Sequence, residues 1–316
     1  MNSVTGDPKL VAATRLTSEQ AAALASQNGL IEMGVRPPLD LYIRRLWERR
    51  SFIWNLSASR AYVRNQGSYL GQAWTVLRPI LDAATMVIIF GFIFRGATAG
   101  LYNRAGFIVI GTFIFALFQS AVVGGLGSIS ANLTLIRSHQ FPRAVVPLST
   151  SMTETVLFGP TMVAMIVLTW ITSLFSTPDA DGYRYIAWPT WSWLLLPFAA
   201  LLLAVFSSGV AMMFARLGAR TPDLANVVPF LLSLGRFASG VMFFLPAMIR
   251  PDNWLRPIFL HQPIAVFLEL FRSIFGNEPN IPMTWRVWAE AGGWAALFFA
   301  LGFIIFWRGE ETYGRD

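Results

Sequence analysis

The chain has 316 residues and a formal net charge of +7, and 55% of its residues are hydrophobic while only 13% are charged. It contains no cysteine, which excludes disulfides, iron–sulfur clusters and thiol chemistry. The hydrophobic residues are concentrated in six blocks, each long enough for a helix to cross a bilayer, which takes about 20 residues. These blocks are Trp74–Phe94, Gly106–Ile129, Val145–Phe175, Trp191–Phe214, Asn226–Leu245 and Val287–Trp307. In hydrocarbon the backbone groups must be satisfied within each segment, so the sequence predicts an all-α membrane protein with six transmembrane helices.

Ahead of the first block, the chain changes from a polar tail to a basic amphipathic segment. Residues 1–35 are polar and rich in alanine, and they are predicted to form a flexible cytoplasmic tail. Residues 36–73 are predicted to form amphipathic and connecting helices. Within them, Leu39–Leu56 places most of its apolar residues near one helical face and has Trp47 and Trp54 beside several arginines. This pattern is typical of a helix at the membrane–water boundary, and an ordinary solvated helix is the alternative.

Residues 74–307 form the predicted six-span domain, and one apolar segment within it is too short to cross. Ile264–Phe275, between the fifth and sixth blocks, is apolar apart from Glu269, Arg272 and one serine. It predicts a short re-entrant or interfacial helix on the outer face, with the glutamate and the arginine paired at i, i+3. Residues 308–316 are predicted to be a cytoplasmic tail.

Basic residues are distributed unevenly between the two sides of the predicted membrane domain. With six crossings, sixteen lysines and arginines fall on the side of the two termini and seven on the opposite side, while Arg236 lies within a span. Cytoplasmic connectors of membrane proteins carry the excess of these residues. Both termini are therefore predicted to be cytoplasmic. Nearly all basic residues are arginines, which is a hint of a GC-rich bacterial genome, so the membrane is predicted to be the cytoplasmic (inner) membrane of a bacterium. The positive charge is explained by this orientation and is not interpreted as a signal for binding nucleic acid.

Several kinds of chemistry are missing from the sequence. A phosphate-binding loop needs a lysine that contacts the phosphates, and the only lysine, Lys9, lies in the polar tail. The two histidines, His139 and His261, fall on opposite sides of the predicted membrane and cannot share a metal. The chain is therefore not expected to hydrolyse ATP by itself or to bind a metal.

Three ionisable residues lie inside the predicted spans: Asp82, Glu154 and Arg236. A charge at the centre of such a helix costs about 2.5–3.5 kcal/mol on insertion scales, so these side chains should face protein or water. In a structural interpretation, Asp82 pairs with Arg78 at i, i+4 and Glu154 pairs with Arg236 across helices. In a functional interpretation, they line a polar path. A carboxylate alone in a span would also suit a carrier driven by protons, so this alternative stays open.

Several motifs resemble those of one family of membrane proteins. Arg60–Pro79 contains the pattern S-x-L-G-x-x-W…P, beginning at Ser68, which resembles the entry to the first span of ABC-2-type exporter permeases. Asn132–Pro147, NLTLIRSHQFPRAVVP, is similar to that family's N-x-x-L-I…FPR…P connector after span two. The ending WRGEETYGRD is similar to the family's acidic-aromatic tail. The resemblance covers about residues 38–316.

Two further motifs differ in detail from the family pattern. Arg220–Asp223 resembles the cytoplasmic R-D turn before span five, but Thr221 and Pro222 separate its two charges. His261–Pro263 followed by Arg272 resembles a position where the family often has Asn-Pro and a later arginine. Within the family, the likeness is greatest to permeases that export lipid-linked polysaccharides, namely O-antigen, teichoic-acid and cell-wall galactan exporters.

The resemblance implies a transport subunit without enzymatic activity that works as a homodimer with a separate ABC ATPase. ATP and magnesium would bind to the ATPase, and no cofactor is expected on this chain. Cytoplasmic connectors would transmit the ATP-driven closure to the membrane domain. By resemblance, the residues coupled to the ATPase are Arg137, His139, Phe141, Pro142, Arg143, Arg220 and Asp223. The alternative is that the first connector only caps a helix hairpin and binds lipid headgroups.

The cargo implied by the resemblance is a polysaccharide linked to a polyprenyl pyrophosphate. The candidates for the substrate path are Trp74, Asp82, Glu154, Arg236 and Phe244, with Phe90, Phe92, Phe94, Phe113, Phe115 and Phe118 as further aromatic candidates. Arg60 and Arg64 are candidates for binding the pyrophosphate, or the headgroups of anionic membrane lipids. A drug or a small lipid is an alternative cargo, and a membrane enzyme acting on lipid-linked sugars is a further alternative.

Overall fold

The computed structural model describes residues 37–94, 98, 100–138, 141–178, 181–276 and 278–310. Within these ranges all regular secondary structure is helical and no strand occurs. The all-α prediction is therefore confirmed for this part of the chain. The predicted tail at 1–35, which contains Lys9, lies outside the described residues, as do His139 and residues 311–316.

Two helices precede the first long apolar helix. α1 is Leu39–Glu48 and α2 is Arg50–Val63, and between them Arg49 has φ −90° and ψ 9°, outside the helical region. α1 has a single buried residue, Tyr42, and its other side chains are exposed or half-buried. The segment Leu39–Leu56, predicted as one amphipathic helix, is thus divided between two helices, of which α1 is amphipathic.

Five helices are long and apolar enough to cross a bilayer, and they correspond to five of the six predicted blocks. They are α3 with its π-helical continuation (Ala73–Met86, Val87–Ile93), α4 (Arg104–Ala131), α6 (Val145–Ser173), α7 with a preceding 3₁₀ turn (Trp191–Leu195, Leu196–Arg220) and α12 (Trp285–Trp307). The short α5, Leu133–Ser138, lies in the connector between α4 and α6.

α4 is the central helix of the domain. Eighteen of its 28 residues are buried, the first being Gly106 and the last Ile129. A helix that is hydrophobic all round has to be surrounded by other elements. α4 packs against α3, α6 and α7, and against two helices later in the chain. It therefore supplies one wall of a cavity that is also lined by residues of α3 and α6.

Small residues allow close approach of α7 to its neighbours. A Cβ on Gly302 of α12 would overlap backbone atoms of Gly209 in α7, and a Cβ on Gly125 of α4 would lie 2.6 Å from the carbonyl oxygen of Ala211 in α7. At both crossings the helices are in contact backbone to backbone, as small residues permit in membrane domains. A larger side chain at either crossing would force two helices apart.

The helix at the fifth predicted span is shorter than a span requires. α8 comprises Leu224–Ala238, and its 15 residues are about 22 Å long at 1.5 Å per residue, less than the roughly 30 Å hydrocarbon core. The chain leaves helical geometry at Gly240, where a φ of 81° favours glycine. The predicted block Asn226–Leu245 therefore begins correctly but ends too late, and the next helix, α9, is the short Leu245–Met248.

The segment between α9 and α12 contains two further helices. α10 is Arg256–His261, and α11 is Pro263–Phe275, which confirms the short helix predicted at Ile264–Phe275. Eleven of the thirteen residues of α11 are buried. α8 and α11 are the two later helices that pack against α4, so α11 belongs to the core of the described domain.

The predicted ion pair between Glu269 and Arg272 is wrong. The Arg272 guanidinium donates instead to the carbonyl oxygens of Gly240 at 3.1 Å, Val241 at 2.9 Å and Phe107 at 3.1 Å. The carbonyls at 240 and 241 follow the end of α8, where they have no partner within the helix and need a donor. Sequence spacing could not show this, because all three acceptors come from other elements.

Candidate functional site

A cavity of about 260 Å³ lies between α3, α4, α6 and the segment after α2. Five of the candidate residues line it, namely Arg64, Trp74, Asp82, Glu154 and the buried Phe113. On α3, the tryptophan and the aspartate are eight residues apart and so lie near the same helical face. The structure therefore brings Trp74, Asp82 and Glu154, three of the five main substrate-path candidates, to one cavity.

An ion pair closes one side of this cavity. Nη1 of Arg64 lies 2.8 Å and 2.7 Å from the two carboxylate oxygens of Glu154, whose side chain is only 12% exposed. Both residues also line a second, open cavity of about 540 Å³, together with Ser59, Arg60 and Thr153. The ion pair thus lies at the boundary between the two cavities.

A second ion pair lies at Asp82. Its Oδ2 is 2.8 Å from Nη1 of Arg236 in α8, and Nη2 of the arginine donates to Oε1 of Gln119 at 3.0 Å. The guanidinium also lies 5.4 Å from the ring centroid of Phe115. Gln119 was not among the predicted site residues, although an amide inside an apolar block was a signal that could have identified it.

The ion-pair partners predicted from the sequence are therefore wrong. Asp82 contacts Arg236 and not Arg78, and Glu154 contacts Arg64 and not Arg236. Arg78 is exposed, and its guanidinium carbon lies 5.8 Å from the ring centroid of Trp74. Water can solvate an exposed arginine, whereas the largely buried guanidinium of Arg236 needs a carboxylate, and this difference explains the choice of partner.

Arg60 is held only by neutral oxygens. Its guanidinium donates to Ser149 Oγ at 3.2 Å, Thr150 Oγ1 at 3.3 Å and Asn132 Oδ1 at 2.6 Å. No carboxylate within the described ranges lies within 4.0 Å of it. Burial lowers the pKa of this guanidinium, because the charged form loses water without gaining a counter-ion. Arg60 is thus a half-buried cation beside an open cavity.

Phe244 lies apart from these cavities. Its ring is edge-on to that of Phe107 with centroids 6.1 Å apart, and it lines a separate cavity of about 60 Å³ with Glu269 and Arg272. The remaining aromatic candidates divide into buried core residues (Phe113, Phe115 and Phe118), a half-buried residue (Phe90) and exposed residues (Phe92 and Phe94).

The connector between α4 and α6 carries the first group of predicted coupling residues. Phe141 is half-buried, and its ring centroid lies 6.0 Å from that of Phe52 in α2. Pro142 is buried, while Arg137 in α5 is exposed. The aromatic side chain therefore packs partly against its own chain and leaves part of its surface accessible.

The turn that leads into α6 is held by residues far away in sequence. The backbone N–H of Arg143 donates to Oε1 of Glu310 at 2.9 Å, and the N–H of Ala144 donates to the Tyr42 hydroxyl at 3.1 Å. The tyrosine hydroxyl in turn donates to Oε2 of Glu310 at 2.8 Å, and the Arg143 guanidinium donates to the backbone carbonyl of Glu310. Tyr42 and Glu310 could not be identified from the sequence, because no local pattern marks a turn whose N–H groups find their acceptors through tertiary structure.

The second group of predicted coupling residues lies at the turn between α7 and α8. Arg220 and Asp223 are both exposed, and no ion pair joins them within 4.0 Å in this described part of the chain. The N–H of Leu224 donates to the carbonyl of Thr221 at 3.2 Å, which closes the turn.

Across the described ranges, no group of three or more histidine, aspartate or glutamate side chains is arranged to hold a metal ion.

Comparison with known proteins gives a family and several relatives. Residues 58–275 match the family described as ABC-2 type transporter. The O-antigen export system permease protein RfbA of Myxococcus xanthus is 27% identical over 270 residues, which cover 85% of this chain and 96% of that protein. The protein of the same name from Klebsiella pneumoniae is 27% identical over 215 residues, covering 68% and 76% of the two chains. The polysialic acid transport protein KpsM of Escherichia coli is 25% identical over 204 residues, covering 65% and 73%.

The family match covers more than half of the chain and confirms the resemblance found in the motifs. It includes the cavity between α3, α4 and α6, the connector at Phe141 and the buried helix α11. Similarity to the Myxococcus protein extends over almost the whole of that relative. With its long apolar helices and its polar cavity in the matched region, the chain belongs to the ABC-2 type transporter family of membrane proteins.

Proposed function

We propose that this chain is the permease subunit of an ATP-driven exporter that moves a lipid-linked polysaccharide across the cytoplasmic membrane. Two copies would form the pathway, and a separate ABC ATPase would bind ATP and magnesium. The observation that carries the proposal is similarity over 96% of the length of a relative named as an O-antigen export permease. A match of this extent includes the connectors as well as the helices, so it supports a common mode of action.

The proposed topology has six crossings with both termini in the cytoplasm. Five crossings are made by the long apolar helices, and the sixth by α8 continued by the buried Val241 and Met242. α10 and α11 would then form a re-entrant pair entering from the outer face, and α1 would lie along the inner interface. The distribution of basic residues supports this orientation.

The proposed ATPase contact consists of the connector at Phe141 and the turn between α7 and α8. The exposed Arg137 and Arg220 suit an acidic surface on the partner, and the accessible part of Phe141 suits an apolar groove. Pro142 and Arg143 are engaged within the chain, so their role would be to position Phe141. His139 and Asp223 complete the proposed contact.

The proposed site for the pyrophosphate is the arginine-rich boundary between the two cavities. Arg60 and Arg78 have no carboxylate within 4.0 Å among the described residues, and Arg64 shares its charge with Glu154. A pyrophosphate offers several anionic acceptors, which form strong charge-assisted bonds with guanidinium groups. Trp74 beside this site would stack against a sugar ring.

Beyond this boundary, the path would continue past the second ion pair of the cavity. Asp82 and Arg236 would contact sugar hydroxyl groups from within the membrane domain, and Phe244 would line the path nearer the outer face. The two carboxylates of the cavity both face arginines at 2.7–2.8 Å. A proton-driven carrier was the alternative because a carboxylate inside a span could be unpaired. Since both carboxylates are paired with arginines, the exporter is favoured.

The proposal is tested by isolating the protein from its native membrane and reconstituting it. We expect an ABC ATPase to co-purify with it, and vesicles containing the complex to move a polyprenyl-pyrophosphate-linked glycan only when ATP and magnesium are supplied. Vesicles with ATP but without the ATPase are the control. Transport that persists in this control, or that requires a proton gradient instead of ATP, would contradict the proposal. Movement of a small lipid but of no glycan would favour the alternative cargo.

A further inference from the structure

Two distant side chains hold the turn that leads into α6. α6 begins at Val145, and its first two N–H groups donate to the carbonyls of Pro142 and Arg143. The N–H groups of Arg143 and Ala144, in the turn before the helix, need an acceptor from another part of the chain. The Tyr42 hydroxyl and the Glu310 carboxylate take this place at 3.1 Å and 2.9 Å. A carboxylate is also favourable at the positive end of the helix dipole. Tyr42 from α1 and Glu310, just beyond the end of α12, thus hold the turn that leads into α6.

These contacts form one buried network. Tyr42 is 1% exposed and Glu310 is 9% exposed, and their own hydrogen bond of 2.8 Å joins positions 268 residues apart. The tyrosine ring also packs against Phe303 of α12, with centroids 5.8 Å apart. Buried polar groups that satisfy each other in this way hold their elements in one arrangement, because separating them leaves several groups without partners.

The network is attached directly to the segment that would face the ATPase. Only one residue, Pro142, separates Phe141 from Arg143, and the Arg143 guanidinium donates to the backbone carbonyl of Glu310. A displacement of the connector therefore has to move α1 and the end of α12, or break these bonds.

We propose that Tyr42 and Glu310 are positioning residues that couple the connector to α1 and α12, so that closure of the ATPase moves all three elements together. We call this contact the Tyr42–Glu310 lock. It rests on the proposed function, since the connector has a coupling role only if an ATPase docks on it. Neither side chain is expected to contact the glycan or the nucleotide.

The test uses two conservative variants in the reconstituted complex with its ATPase. Tyr42→Phe keeps the ring in its packing site and removes the hydroxyl, and Glu310→Gln keeps the shape and removes the charge. The readouts are the amount of assembled complex, the rate of ATP hydrolysis, and the number of glycans exported per ATP hydrolysed. Tyr62→Phe is the matched control, because this tyrosine in α2 is 69% exposed.

We expect each variant to assemble and hydrolyse ATP as the unmodified complex does, while export per ATP falls about fivefold, the factor expected from losing one net hydrogen bond. The double variant should be no worse than the poorer single variant, because both changes open the same lock. An unchanged ratio in both single variants would overturn the inference. The inference would also be overturned if export and hydrolysis fell together with the amount of complex, or if both variants failed to assemble. Either result would indicate that the two residues have a structural role only.

The inference and the proposed function fail in different ways. If the unmodified complex exports no glycan with ATP, the proposed function is wrong and the lock has no coupling role. If the unmodified complex exports normally and both single variants have the same export per ATP as it does, only the lock is wrong.

Discussion

Among single residues, Arg64 and Glu154 depend most clearly on each other. Arg64→Ala leaves a carboxylate that is only 12% exposed without its counter-ion, so we expect a loss of about 1–3 kcal/mol in the free energy of unfolding. The exchanged pair Arg64→Glu with Glu154→Arg restores opposite charges and should recover most of this loss. Thermal unfolding of the purified protein in detergent measures the effect, with Arg45→Ala on the exposed face of α1 as the control. An exchanged pair as unstable as Arg64→Ala would contradict the stabilising role of the ion pair.

The buried carboxylate of Glu278 should make the stability of the protein depend on pH. It accepts the N–H groups of Tyr102 and Asn103 at 3.1 Å and 2.5 Å, at the start of α4. Burial raises the pKa of Glu278, while the two backbone bonds and the charges of Arg272 and Arg104 lower it by less. A raised pKa means that the folded protein binds this proton more tightly than the unfolded chain does. The resulting stabilisation is fully present below the ordinary glutamate pKa of about 4.3 and is lost as the pH rises through the raised pKa.

Glu278→Gln removes this titration, because the amide stays neutral at every pH. We expect the melting temperature of the unmodified protein to fall relative to that of the variant as the pH rises from about 4 to about 8. Melting curves of both proteins at a series of pH values give the difference directly. Glu48→Gln, which removes an exposed carboxylate from α1, controls for the change in net charge. Parallel pH profiles for the two proteins would show that the buried carboxylate does not have the inferred effect.

At the scale of whole helices, the crossing of α7 and α12 depends on two glycines. Gly302→Val places a side chain where the backbone of Gly209 lies, and overpacking of this kind costs about 1–3 kcal/mol. A Cβ added to Gly292 in the same helix would meet no atom of another element within 4 Å, so Gly292→Ala should be neutral or stabilising by up to about 1 kcal/mol. Thermal unfolding of the two variants tests this contrast. Equal effects at positions 302 and 292 would mean that the crossing is not limited by backbone contact.

The positions of the helices could be predicted from the sequence where the length and hydrophobicity of a segment determine them. Features that depend on contacts with other elements could not be predicted. Five helices long and apolar enough to cross a bilayer, and the short α11, follow from apolar runs of the right length. The end of α8 was placed too late, because an apolar run continues past Gly240, where the backbone turns. The charges at Asp82, Glu154 and Arg236 were identified as needing partners. Their partners could not be chosen, because each lies on an element that sequence spacing does not relate to it.

At the scale of the whole molecule, the orientation in the membrane can be tested by labelling single engineered cysteines. The chain contains no cysteine of its own that would react with the label. Thr134 in α5 and Trp254 ahead of α10 are both accessible at least in part and fall on opposite sides in the proposed topology. A membrane-impermeant thiol reagent added to intact cells freed of their outer membrane should label Trp254→Cys and leave Thr134→Cys unlabelled until the membrane is opened. Labelling of Thr134→Cys from outside would place the connector beyond the reach of any cytoplasmic ATPase.

The connector is also where a single side chain should decide whether the whole complex works. Phe141→Asp replaces an apolar, partly accessible ring by a charge, so we expect ATP hydrolysis stimulated by the permease to fall by at least about tenfold, as for loss of an interface hot spot. Because the ring also packs against Phe52 at 6.0 Å, Phe52→Leu measures the part of the effect that arises within the chain. Phe141→Leu, which keeps an apolar side chain, should retain most of the activity. Hydrolysis by the purified complex and the amount of membrane-inserted permease are measured for all three variants. Normal hydrolysis in Phe141→Asp, or equal loss in Phe52→Leu, would remove Phe141 from the ATPase contact and leave the connector as an internal brace of the membrane domain.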